Sequence, residues 1–171
     1  IKFAYLFAKE YINPVDADED HVPILQPESA GTTGPVPIYK HVNSLDEEMN
    51  YIIKCLNHWK DAGCKWSDIA ILYPANWLGE KLKLKLEQTG IPFCFLNKKE
   101  SKMKYDPLLD QVAILTLHSS KGLEFQTVIM MGLGHLKEED SDLENQARIL
   151  YVGMTRAREK LLITSSAQNR Y

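Results

Sequence analysis

The sequence has few of the features that mark a disulfide-rich, metal-binding or membrane protein. Its three cysteines, Cys55, Cys64 and Cys94, are scattered without a CxxC pair, so the usual zinc-ligand spacing is absent and reduced intracellular thiols are favoured. No apolar run is long enough to cross a membrane, and the first residues do not form a signal peptide. We therefore expect a cytoplasmic protein without a membrane partner or a bound metal of its own.

An excess of basic charge is also missing. The formal net charge is -3, so the chain has no overall electrostatic attraction for nucleic acid, although a local basic strip is compatible with this value. With 171 residues the chain is long enough for one domain, residues 1–171, with a sizeable core. Because it begins at Ile1 without Met, we expect it to be an excised domain.

Two signatures of phosphate chemistry are absent as well. The sequence contains no Gly-x-x-x-x-Gly-Lys-Ser/Thr loop, whose backbone would cradle the β- and γ-phosphates of a nucleotide. None of the apolar strands ends in an Asp-Glu pair that could hold Mg²⁺, and no Ser/His/Asp or paired-carboxylate constellation is recognisable. A complete catalytic site within these residues is therefore not predicted.

Apolar periodicity predicts strands that alternate with helices. Helices are predicted over 1–12, from Leu45 to a stop at Gly63, from a cap at Asn76 to Gly90, and from Ser141 to about Thr155. Strands are predicted over 36–40, 69–73, 93–96, 112–117, 127–132 and 161–164. Capping boxes at Ser44/Glu47 and Ser141/Glu144 support two of the helix starts. This alternation is typical of an α/β fold with a parallel sheet and helices on both faces.

Two stretches without regular periodicity separate these elements. Residues 14–35 are acidic and then rich in Pro, Gly, Ser and Thr, which predicts a long connection. Residues 97–110 predict a surface loop that carries Lys98, Lys99, Lys102 and Lys104. These lysines either lie on the solvated surface without a binding role or contact nucleic acid.

Polar segments that follow apolar elements carry the chemistry of this chain. Strand 112–117 runs directly into His118-Ser119-Ser120-Lys121-Gly122-Leu123-Glu124-Phe125, which offers N–H groups, hydroxyls and charge at the end of a strand. The segment Leu150–Arg158 ends a helix with two arginines. Arg148 and Arg158 are interpreted as surface arginines that pair with Glu144 and Glu159.

The pattern Thr-x-His-x-x-Lys-Gly-Leu-Glu-Phe at 116–125 resembles motif V of the superfamily 1 helicases of the UvrD/Rep/PcrA type, and Leu150–Arg158 resembles their motif VI. Ile69–Asn76 resembles a further strand and turn of that family less closely, with Pro74 in place of the family's arginine. The resemblance implies the second, C-terminal RecA-like domain of such a helicase. The short stretch 97–110 stands where many relatives carry a large helical insertion, so we expect a domain without it.

The resemblance also implies roles for individual residues. Thr116, His118 and Ser119 would contact single-stranded DNA, whereas Gly122 and Glu124 would face the nucleotide. Arg156 would be the catalytic arginine finger on the γ-phosphate, a role suited to a guanidinium because it is always charged and planar. Lys121 would either contact phosphate or pair with Glu124.

The function implied is that of a motor domain in an ATP-dependent DNA helicase. ATP with Mg²⁺ would be bound mainly by the N-terminal RecA-like domain of the same polypeptide, so this chain alone is expected to be inactive. One alternative is a non-hydrolysing module, from a degenerate helicase-like protein, that binds nucleic acid or a partner. A second is an unrelated doubly wound ligand-binding domain. ATPase activity of the full-length protein would distinguish the motor domain from the non-hydrolysing module.

Overall fold

The computed structural model describes residues 2–12, 34–96, 106, 108–136 and 143–166. Within these residues the helices are α1 Lys2–Tyr11, α2 Leu45–Asp61, α3 Asn76–Glu87 and α4 Leu143–Met154. The strands are β1 Ile38–Val42, β2 Ile69–Tyr73, β3 Phe93–Phe95, β4 Val112–Thr116, β5 Phe125–Met130 and β6 Ala157–Ser166. Short 3₁₀ turns lie at Trp66–Asp68, His118–Ser120 and Leu133–His135.

The six strands form one parallel sheet in the order β1-β6-β5-β2-β4-β3. Side chains alternate across it, so Ile69 and Ile71 of β2 pack beneath α2 and α3, whereas Ala70 and Leu72 belong to the core on the other face. That second core includes Ala4 of α1 and Met154 of α4. The predicted α/β fold, with a parallel sheet and helices on both faces, is confirmed.

The first capping box forms, with one difference in detail. Ser44 Oγ accepts the N–H of Glu47 at 3.2 Å, and Glu47 Oε2 accepts the N–H of Asn43, at 3.1 Å, rather than that of Ser44. At the other end of α2, Gly63 adopts a φ of 90°. A left-handed residue of this kind ends a helix without the steric cost that a Cβ would bring.

Four local predictions were wrong. The strand expected over 127–132 lies at Phe125–Met130, because its ladder with β6 already begins with Phe125 opposite Ala157. Asn76 is the first residue of α3, and Ala75 is the N-cap because its carbonyl accepts Leu78 N–H; its methyl side chain forms no capping bond. The last strand, expected over 161–164, extends over Ala157–Ser166, because it lies between β1 and β5 and gains ladder bonds from both. The first strand lies at Ile38–Val42 instead of 36–40, in register with the end of β6.

Some expectations fall on residues outside the described ranges. They are most of the connection 14–35, nearly all of the loop 97–110 with its lysines, and the second capping box at Ser141. In the part of the chain that is described, no helix has the length and apolar character needed to span a membrane.

Candidate functional site

The motif V segment runs from the carboxyl-terminal ends of the parallel strands, here called the carboxyl edge, to their amino-terminal ends, here called the amino edge. Thr116, at the carboxyl end of β4, is level with Tyr73 at the end of β2. Phe125 begins β5 two residues before Thr127, which is level with Ile69 at the start of β2. Because β2 lies between β4 and β5, residues 117–124 cross it while descending from the carboxyl edge to the amino edge. The candidate DNA-contacting residues and the candidate nucleotide-contacting residues therefore lie at opposite edges.

At the carboxyl edge, local hydrogen bonds hold the first half of the segment. Thr116 Oγ1 accepts the backbone N–H of Ser119 at 3.1 Å, and Ser120 Oγ donates to the Leu117 carbonyl at 2.6 Å. The Leu117 N–H donates to the Tyr73 carbonyl at 3.0 Å and so joins this turn to the end of β2. His118 is exposed, and Thr116 and Ser119 are half-buried. The structure thus brings Thr116, His118 and Ser119 together in one short turn.

At the amino edge, the second half meets the beginning of β6. Gly122 is exposed with a φ of 84°, and a Cβ built there would have no neighbour within 4 Å. Glu124 Oε2 accepts a hydrogen bond from Arg158 Nε at 2.9 Å, and these two side chains are 51% and 59% exposed. An ion pair this exposed is worth less than about 1 kcal/mol, so it orients the carboxylate more than it stabilises the fold.

The pairing predicted for Arg158 was therefore wrong. Arg158 and Glu159 lie where the register of the β5–β6 ladder shifts, and the Arg158 guanidinium bonds the carboxylate of Glu124 rather than that of Glu159. Phe125 lies opposite Ala157 in the β5–β6 ladder, which brings Glu124 beside Arg158. Lys121 is exposed, and the ion pair that Glu124 makes within the described residues is with Arg158. The proposed partner of Arg148, Glu144, has no described side chain.

Arg156 connects the two motif segments. It lies in the turn between α4 and β6, where its Nε donates to the Val152 carbonyl at 3.0 Å and its Nη2 to Thr155 Oγ1 at 3.0 Å. Its Nη1 donates to the Leu123 carbonyl at 3.3 Å. A guanidinium carries five N–H bonds, so these contacts leave one hydrogen on each Nη. Arg156 therefore both caps the end of α4 and presents a fixed guanidinium edge beside Gly122 and Glu124.

A row of polar side chains at the carboxyl ends of β1, β6 and β5 was missed by the sequence reasoning. Ser165 Oγ is 2.8 Å from both the Tyr39 hydroxyl and His41 Nδ1, and Ser166 Oγ is 3.1 Å from His135 Nε2. The available signal was the run Thr164-Ser165-Ser166 at the end of an apolar strand. Its partners come from distant elements, so the sequence gave no reason to group them.

A fully buried carboxylate lies beneath this row. Glu48 Oε1 accepts the N–H of Gly132 at 2.7 Å and the hydroxyl of Thr164 at 2.6 Å. Among the described residues there is no group of three or more His, Cys, Asp or Glu side chains that could hold a metal ion. Tyr73, at the end of β2, is buried, and this burial together with the charge of Glu80 raises the pKa of its hydroxyl. Tyr73 is therefore a neutral core residue below the site.

Comparison with known proteins shows relatives of this chain among the helicases. Residues 95–168 match the family model of the UvrD-like helicase C-terminal domain. The ATP-dependent DNA helicase Rep of Buchnera aphidicola is 32% identical over 139 residues, which is 73% of this chain and 21% of that protein. The ATP-dependent DNA helicase PcrA of Bacillus subtilis is 39% identical over 64 residues, covering 33% of this chain and 9% of that protein. The chain thus spans only about a fifth, or less, of these relatives.

The fold has a counterpart among solved structures. The C-terminal domain of a possible DNA helicase from a Lactobacillus strain, WCFS1, superposes with a TM-score of 0.64 at 18% identity, covering 95% of this chain and 84% of that one. The fold and the two motif segments place this chain in the class of RecA-like helicase domains. The chain belongs to the UvrD-like helicase C-terminal domains, with Rep and PcrA helicases as homologues over part of its length.

Proposed function

We propose that this chain is the C-terminal motor domain of an ATP-dependent DNA helicase or translocase. It would complete an ATP site shared with an N-terminal RecA-like domain of the same polypeptide and would grip single-stranded DNA. The observation that carries the proposal is the contact between Arg156 and Leu123, which joins the motif V and motif VI segments beside Glu124. ATP with Mg²⁺ would be bound mainly by the N-terminal domain.

The amino edge has the chemistry for the nucleotide. Arg156 is held by three hydrogen bonds, so its two remaining N–H groups are preorganised for phosphate oxygens that gain charge in the transition state. Glu124 uses Oε2 for Arg158, and its Oε1, which accepts no hydrogen bond from the residues that the structure describes, could accept a ribose hydroxyl. Gly122, without a Cβ, allows close approach to the backbone. Here the residues bind and orient; the phosphoryl chemistry would be supplied by the bound nucleotide and its metal.

The carboxyl edge has the chemistry for a sugar-phosphate backbone. Thr116 and Ser119 offer hydroxyl groups and His118 an imidazole, which bind phosphate less tightly than a cluster of lysines and so can release it in each cycle. The segment 117–124 joins this edge to the amino edge across β2. We propose that this direct connection couples closure around the nucleotide to the grip on DNA.

The test uses a polypeptide that contains this chain together with its N-terminal domain. Arg156→Ala should leave ATP binding in place and reduce DNA-stimulated hydrolysis by about a thousandfold or more. Arg148→Ala, which removes an arginine from α4 that has no proposed role in hydrolysis, is the matched control and should change hydrolysis only a few-fold. Thermal unfolding of both variants shows whether the loss of the helix cap contributes. Wild-type turnover in Arg156→Ala would mean that the arginine only caps α4.

A second function is favoured by one observation. Pro74 stands where the resembling family turn carries an arginine, so a contact made by that arginine is missing here. The alternative is a non-hydrolysing domain that binds nucleic acid or a partner. A wild-type two-domain polypeptide that binds single-stranded DNA but shows no DNA-stimulated ATP hydrolysis would support this alternative over the motor.

A further inference from the structure

The sheet has a topological switch point that the proposed nucleotide residues do not use. Strands β2 and β5 are neighbours, and the helices that follow them lie on opposite faces: α3 packs on the core with α2, whereas α4 belongs to the other core. In open α/β sheets, ligands bind outside the carboxyl ends of the strands at such a switch point. Glu124 and Arg156 lie at the amino edge, so they leave this position open.

Trp77 and His135 lie at this switch point, Trp77 after β2 and His135 after β5. Trp77, the second residue of α3, is 45% exposed, and its ring makes a T-shaped contact with His135, with 5.2 Å between ring centroids and an angle of 82°. Lys81, one helical turn further on, places its Nζ 5.3 Å from the indole centroid. In the described part of the chain Lys81 forms no ion pair. Trp77 therefore presents a partly exposed indole ring with the Lys81 ammonium over it.

The support of the indole is rigid. His135 Nε2 lies 3.1 Å from Ser166 Oγ, so the imidazole is anchored to the end of β6. The turn that carries His135 begins at Gly132, whose N–H is bound by the buried carboxylate of Glu48 at 2.7 Å. A ring that is already held in place loses little conformational freedom when a ligand stacks on it.

We propose that Trp77 stacks on a base of single-stranded nucleic acid, that Lys81 contacts a neighbouring phosphate, and that His135 positions the indole. Base stacking at Trp77 rests on the proposed function, because it requires the strand that Thr116 would contact. The N–H of Leu117 bonds the carbonyl of Tyr73, so the turn after β4 and the turn leading to Trp77 share one edge of the sheet. Aromatic rings beside cations are the usual platform for unpaired bases, and they tolerate any base.

The experiment compares two labelled single strands of equal length and charge, an oligodeoxythymidine and an abasic sugar-phosphate oligomer. Binding to the 171-residue chain is measured by fluorescence anisotropy at low salt. The wild-type protein should bind the thymidine strand about tenfold more tightly than the abasic one. Trp77→Leu should remove that preference and leave the abasic affinity unchanged, whereas Trp77→Tyr, which keeps an aromatic ring, should retain most of it.

A second tryptophan–lysine pair provides the matched control. Trp66 has Lys60 Nζ 5.1 Å from its ring centroid but lies just before β2, at the amino edge. Trp66→Leu should keep the wild-type preference for the thymidine strand. An unchanged preference in Trp77→Leu would overturn the stacking site while leaving the proposed grip on DNA intact. Absence of binding to either strand by the wild-type protein would overturn both.

Discussion

Glu48 and Gly132 are 84 residues apart in the sequence, yet the buried carboxylate of one accepts the N–H of the other at 2.7 Å. The same oxygen accepts the hydroxyl of Thr164 at 2.6 Å, and the second oxygen, Oε2, is buried without a partner in the part of the chain described. Burying a carboxylate is costly unless hydrogen bonds compensate. Glu48 therefore fastens α2 to the ends of β5 and β6 through one oxygen.

Replacing Glu48 tests this arrangement. Glu48→Ala should lower the free energy of unfolding by about 2–4 kcal/mol, because the Gly132 N–H and the Thr164 hydroxyl lose their acceptor in a buried site. Glu47→Ala, one residue away and exposed, should cost only about 0.5–1 kcal/mol for the loss of its capping bond. Urea denaturation measures both values. A Glu48→Ala protein as stable as the wild type would show that the bridge contributes nothing.

Gly122 and Gly90 form a matched pair for separating strain from function. Both adopt a positive φ, 84° and 73°, and a Cβ at either position would have no neighbour within 4 Å. Gly122→Ala and Gly90→Ala should therefore each cost about 1 kcal/mol of stability through backbone strain alone. In the two-domain polypeptide only Gly122→Ala should also weaken ATP turnover. Equal turnover in the two variants would argue against a nucleotide role for Gly122.

A third prediction concerns acid stability. Asp110 accepts hydrogen bonds from Lys60 Nζ at 2.9 Å and from Ser67 N–H at 3.0 Å, and these two contacts, the lysine first, hold the pKa of its carboxyl below the ordinary value of 3.8. A lowered folded-state pKa stabilises the fold above the unfolded value and loses that contribution as the pH falls through the folded value.

Asp110→Asn should consequently destabilise the protein at pH 7 by less than about 1 kcal/mol, because both side chains are substantially exposed and screened by water. The difference from wild type should shrink once the pH falls below 3.8. Denaturation at several pH values and low ionic strength measures it. A difference that grows towards low pH would contradict the assigned interaction.

The isolated chain gives the fourth prediction. It should not hydrolyse ATP, and its affinity for ATP should be no better than about millimolar, because one arginine and one carboxylate cannot offset the entropy lost on association. Isothermal titration calorimetry with Mg²⁺ present measures the affinity. Micromolar binding to these residues alone would contradict a site shared with a second domain.

Local sequence patterns were sufficient for the elements of the fold. Strands β2 and β4 are continuous apolar runs because the sheet covers them on both faces, and α2 carries its own start and stop signals at Ser44 and Gly63. The two motif segments were equally visible, since each is a run of consecutive residues. The polar composition of Thr116–Phe125 after an apolar strand marked it as a candidate site, whereas Leu150–Arg158 was identified by its resemblance to a helicase motif.

Strand order decided what those residues touch. Only the placement of β6 beside β5 brings Arg158 to Glu124, away from its sequence neighbour Glu159, and places the Arg156 guanidinium on the Leu123 carbonyl. The same order sends residues 117–124 across β2 and so separates the two halves of motif V. Periodicity in a sequence reports which face of an element is buried, whereas hydrogen-bond ladders between distant strands set its neighbours. The sequence by itself determined the elements and the chemical groups of this protein, and the tertiary structure alone decided their partners.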